Sequence, residues 1–82
     1  MGIELQNINL NKVTMIEQIR KVREEHCEFI TAVLKKDHSN AIEEFYDLLQ
    51  ASLGALDKMG LSAKLVMEHY PEHLEKLKCR PR

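Results

Sequence analysis

The sequence lacks most of what stabilises small secreted or membrane domains. It has only two cysteines in 82 residues, Cys27 and Cys79. They form no Cys-x-x-Cys pair, so both read as reduced thiols of a cytoplasmic protein. Tryptophan is absent and aromatics make up 5% of the chain, which excludes a large aromatic core. Three glycines and two prolines are too few for a collagen or a flexible linker. No apolar run approaches the roughly 20 residues of a membrane span. The opening Met1-Gly2-Ile3-Glu4-Leu5-Gln6 has neither a basic nor an apolar stretch, so no signal peptide is expected. An excess of positive charge is also missing: 12 basic and 13 acidic residues leave a net charge of −1. Bulk attraction to nucleic-acid phosphates is therefore not expected, nor is a membrane partner.

Hydrophobic residues at 44% and charged residues at 30% describe one small folded domain over 1–82. A chain of this size buries only about 60% of its unfolded surface. Residues 1–12 show no clean periodicity and read as an irregular arm. Thr14-Met15-Ile16-Glu17 fits a capping box. After it, Ile16, Ile19, Val22, His26, Phe29, Ile30 and Val33 recur at helical spacing, predicting a helix over 14–36. Asp37-His38-Ser39-Asn40 is the break, with Asn40 as a candidate cap for a second helix over 40–59. Gly60 follows as a helix-ending glycine. Ser62 caps a third helical stretch over 62–78, with a break or kink near Pro71. No segment alternates as a strand does. The expectation is all-α: a helical hairpin plus a shorter, kinked C-terminal helix.

The chemistry lies in two short strings, Glu24-Glu25-His26-Cys27-Glu28 and Glu43-Glu44-Phe45-Tyr46-Asp47. Each carries two carboxylates three residues apart, Glu25 with Glu28 and Glu44 with Asp47, and residues at i and i+3 share a helix face. At about 100° per residue, both helices show the same plan. An apolar arc of roughly 140–160° has a carboxylate pair along one edge. In an antiparallel hairpin, the four acids can converge beside the core. Four oxygen ligands suit a hard cation, Mg²⁺ best, with Mn²⁺ as a substitute. A solvated acidic helix face is the plain alternative. A di-iron site is excluded, because no histidine has a glutamate three residues before it. His69 and His73 have zinc-like spacing, but Pro71 between them breaks the helix and no third ligand is evident.

Glu-Glu-x-x-Glu, then fifteen residues, then Glu-x-x-Asp, is similar to the signature of the MazG-like all-α nucleoside triphosphate pyrophosphohydrolases. Asp47-Leu48-Leu49-Gln50 also resembles the family, as does the tail Lys76-Leu77-Lys78-Cys79-Arg80. His73 stands where many members carry asparagine. The resemblance covers about residues 12–80. It implies Mg²⁺-dependent cleavage of a nucleoside triphosphate to monophosphate and pyrophosphate, with Glu25, Glu28, Glu44 and Asp47 as metal ligands. Glu24, about 100° around the helix, is left as an outer-shell or surface charge.

Lys76 and Arg80 share a face and could hold a triphosphate tail, or else complement a helix C-terminus. Ala32, Ala51, Gly54 and Ala55 continue the acidic edges. They leave room for a base or ribose, or they let the helices approach closely. Arcs this wide exceed what three helices can cover, so a homodimer or homotetramer with a four-helix-bundle-like core is expected. A different class stays open: a non-catalytic helical oligomerisation or regulatory module with an acidic surface.

Overall fold

The computed structural model describes residues 13–80. The arm expected over 1–12 lies outside them. Four helical segments follow one another: α1 (Met15–Leu34), α2 (His38–Lys58), α3 (Ala63–Glu68) and α4 (Tyr70–Lys78). Among the described residues there is no strand. The all-α hairpin with a shorter, kinked C-terminal part is the expected fold.

Side-chain caps start three of the segments. Thr14 Oγ1 accepts the Glu17 N–H at 3.1 Å, and Ser62 Oγ accepts the Leu65 N–H at 3.1 Å. The second helix starts earlier than Asn40. Asp37 Oδ1 accepts the Asn40 N–H at 3.3 Å, so Asp37 is the cap and Asn40 falls inside the first turn. Asp37 also closes the preceding helix, because its N–H donates to Ala32 O at 3.2 Å while Lys36 N–H donates to Val33 O at 3.0 Å. This closure requires Lys36 to adopt a left-handed φ of 57°. One aspartate thus ends α1 and begins α2, which keeps the link short and the helices antiparallel.

Gly60 ends α2 as its position suggests. Its φ is 86°, and the Leu61 N–H returns to Leu56 O at 3.0 Å. The C-terminal break lies at His69, two residues before the expected one. His69 N–H is divided between Leu65 O and Val66 O, both at 3.3 Å. Pro71 has no N–H to continue the ladder and its ring crowds the preceding turn, so the helix restarts with Pro71 in the first turn of α4.

The seam between α1 and α2 falls on the carboxylate edge and takes in only the near margin of the apolar arcs. Gln18, Glu25 and Ala32, seven residues apart along α1, are its buried positions. Ala51 is buried on α2, and Gln18 Nε2 donates to Ala51 O at 2.8 Å. Phe29 and Phe45 meet across the hairpin with ring centroids 6.0 Å apart. The small side chains of Ala32 and Ala51 let the helices approach closely along this edge. Leu53, Gly54 and Ala63 are buried where the chain folds back after Gly60. Two helices can bury only one stripe each, so the rest of each arc faces outward. Ile16 is 65% exposed, Leu34 76% and Ile42 54%.

The two left-handed positions generate a paired prediction. At Gly60 an added Cβ would meet nothing within 4 Å, so its cost is conformational alone. Gly60→Ala should lose about 1 kcal/mol in urea denaturation at fixed protein concentration. Lys36→Gly relieves a similar strain, but glycine's freedom in the unfolded chain takes back roughly 0.5–1 kcal/mol, so it should be close to neutral.

Candidate metal centre

Glu25 and Glu28 sit one turn apart on α1, and the short Asp37 link brings Glu44 of α2 opposite them. Oxygens of the three carboxylates lie within 4.8 Å of one another. Their surroundings differ. Glu25 is 4% exposed, Glu44 is half-buried and Glu28 is exposed. Glu25 Oε1 is held by Lys21 Nζ at 2.7 Å. Its other oxygen, Oε2, is buried with no hydrogen-bond partner, and so is Glu44 Oε2.

The electrostatics follow from that crowding. The negative charge of Glu25, then a proton-sharing contact with Glu44, holds the Glu28 carboxyl above the usual carboxylate range. On the other side, the hydrogen bond to Glu25 raises the Lys21 ammonium above its ordinary value. Burying an acceptor without a partner is costly. Here two such oxygens belong to carboxylates that face a third. No histidine or cysteine joins the converging set among the described residues. An all-oxygen, anionic donor set with two orphaned oxygens fits a hard divalent cation. A group such as zinc, which favours nitrogen and sulfur, fits it less well.

Two hollows of about 260 Å³ each adjoin the acids. Lys35, Asn40 and Thr31 line the first, beside Glu28 and Glu44. Lys21, Asp47, Gln50 and Ala51 line the second, beside Glu25. Gln50 Oε1 is a further buried acceptor without a partner.

The structure thus brings together three of the expected acids. Asp47 is exposed one turn beyond Glu44, and it borders the second hollow instead of joining the 4.8 Å set. Lys76 on α4 and Arg80 just after it are exposed and line neither hollow. No residue of α4 is buried, and α4 packs chiefly on α3. Glu24 is exposed. His69 Nδ1 faces Glu72 Oε2 at 3.4 Å. The small residues Ala32, Ala51 and Gly54 are buried, which favours close helix packing. Lys21 and Gln50 are site neighbours that spacing alone did not single out. The Lys21–Glu25 interval of four residues was the signal available for the first.

The profile of the phosphoribosyl-ATP pyrophosphohydrolase family matches residues 7–73 of the chain. All four motif acids lie within that span, whereas Lys76 and Arg80 lie beyond it. No curated protein matches the chain, and no solved structure does. The match covers most of the 82 residues. The chain therefore belongs to the phosphoribosyl-ATP pyrophosphohydrolase family, within the MazG-like all-α superfamily of enzymes that hydrolyse nucleotide phosphoanhydrides.

Proposed function

We propose that the protein is a divalent-cation-dependent pyrophosphohydrolase that cleaves a nucleoside triphosphate between its α and β phosphorus atoms. Monophosphate and pyrophosphate would be the products. The observation that carries this reading is the convergence of Glu25, Glu28 and Glu44 with two buried oxygens lacking partners. These three residues would hold Mg²⁺, or Mn²⁺ in its place, with Asp47 completing the set from the neighbouring hollow. When bound, the cation neutralises phosphate charge and makes water more acidic. Phosphoribosyl-ATP, the substrate in the family's name, is itself a triphosphate, so it stands among the candidate substrates with the common and deoxy nucleotides. Lys35 and Asn40 supply donors for phosphate oxygens beside Glu28 and Glu44. Lys76 and Arg80 are proposed to grip the distal phosphates, with Arg80 as the better fork.

The role of Lys76 and Arg80 requires α4 to meet an acidic set, and self-association offers a route. The outward residues Ile16, Ile19, Ile30, Val33 and Leu34 of α1, with Ile42 and Phe45 of α2, form the apolar surface for it. We propose a homodimer or homotetramer joined through these faces into a four-helix-bundle-like core, working in the cytoplasm.

Two measurements test the proposal. Phosphorus NMR of Mg²⁺-containing reactions should show monophosphate and pyrophosphate from at least one triphosphate, with no orthophosphate preceding them. Glu44→Gln should lower turnover by more than the roughly 10–100-fold typical of an outer-shell change. Arg80→Ala should raise KM more than it lowers kcat. A panel that includes phosphoribosyl-ATP and yields no pyrophosphate would remove the reading. Sedimentation at micromolar concentration should show at least a dimer, and a compact monomer would refute the assembly.

A further inference from the structure

Lys21 has a part in this site that the acidic motif does not describe. Its ammonium rests on Glu25 Oε1 at 2.7 Å, and its side chain is 54% exposed while that of Glu25 is 5% exposed. A buried carboxylate is thereby neutralised by a cation whose stem stays largely in solvent. Lysine is suited to this, because its charge sits at the end of four rotatable carbons and moves at small cost. The contact engages one oxygen of Glu25 and leaves the other without a partner.

Lys21 also borders the second hollow, and that hollow holds two more acceptors. Gln50 Oε1 is buried and unpartnered, and Asp47 presents an exposed carboxylate on the same wall. The ammonium therefore has acceptors available to it a short swing from the place it occupies. Meanwhile it sits on the very carboxylate that Asp47 would join to complete a four-ligand set.

We propose that Lys21 is the resident counter-ion of the acidic seam: its ammonium holds Glu25 in the cation-free protein and leaves Glu25 when a divalent cation binds, moving into the hollow lined by Asp47 and Gln50. The inference rests on the reading of the seam as a cation site. Two cations competing for Glu25 repel each other, so binding of one weakens the hold of the other. The displaced ammonium then lies beside the cation, where an anionic oxygen of a phosphoanhydride can take it as a partner. Lys21 is in this account a positioning residue. It keeps the empty seam folded and lowers its affinity for divalent cations.

The test is calorimetric titration of the metal-free full chain with Mn²⁺ at constant ionic strength, together with thermal melts with and without the ion. Lys21→Met should bind Mn²⁺ about five- to tenfold more tightly, the equivalent of releasing one partly exposed charge-assisted hydrogen bond. Its melting temperature should fall below wild type without metal, and the deficit should vanish at saturating Mn²⁺. Lys21→Arg, which retains the counter-ion, should bind no more tightly than wild type. Lys21→Gln keeps a donor without the charge and should also bind more tightly, which serves if the methionine variant does not fold. Unchanged or weaker Mn²⁺ affinity in the uncharged variants would overturn the proposal, as would a thermal deficit that Mn²⁺ leaves in place. Either result makes the ion pair a static clamp while leaving the cation site intact. Absence of Mn²⁺ binding in wild type itself would instead remove the cation site, and the proposal with it.

Discussion

Three carboxylates within 4.8 Å of one another repel, and the hairpin fixes the backbone positions that bring them together. Glu25 and Glu28 are held one turn apart by helix geometry. Glu44 is held opposite them by a three-residue link in which Asp37 closes one helix and caps the next. The fold tolerates this crowding in identifiable ways. Lys21 neutralises the most buried acid, and Glu28, the most exposed, has a raised affinity for its proton. Two carboxylate oxygens are still left without partners. A strained polar cluster of this kind persists when something that binds the folded state offsets its cost.

The same choice of seam explains the outer surface. Ala32 and Ala51 allow the helices to meet along the acidic edge, and that turns the broad apolar arcs away from the seam. Among the described residues little else covers them, since α3 is short and α4 buries no residue. The acidic cluster and the exposed apolar residues therefore occupy different sides of the same two helices. The acidic side faces inward between α1 and α2, and the apolar side is the surface through which self-association is proposed. The basic tail stays away from the acids within one chain, because α4 rests chiefly on α3.

Much of this was legible before any coordinates. Helix starts at Thr14 and Ser62 and the stop at Gly60 rest on local chemistry, namely a hydroxyl three residues before an N–H and a glycine at a left-handed position. The carboxylate spacing named Glu25, Glu28, Glu44 and Asp47, of which the first three converge. The errors came where two local signals competed or where tertiary contact decided. Asp37 and Asn40 are both good caps, and only the left-handed turn at Lys36 shows that the aspartate is already in place. Pro71 marks a break, but the change of helix falls two residues earlier, at His69, whose N–H is divided between Leu65 O and Val66 O. The apolar arcs were expected to exceed what the chain can cover, and small residues at the seam decide which part of them stays outside. Lys21 carries no motif, and Gln50 ends a family-like stretch that gave it no role, so the relevance of both comes from what lies beside them.

The acidic seam is held under a repulsion that a proton on Glu28 relieves and that the proposed divalent cation would relieve. The most direct test of this is the stability of wild type relative to Glu28→Gln as a function of pH, with and without Mn²⁺. Glu28 has a folded-state pKa above its ordinary value. Its contribution is therefore fully present below the ordinary carboxylate range of about 4 and is lost as pH rises through the raised value. Without metal, wild type should gain on Glu28→Gln as pH falls from 7 towards that range. With saturating Mn²⁺ the trend should reverse, because a cation requires the deprotonated ligand. A difference between the two proteins that ignores both pH and Mn²⁺ would contradict the account.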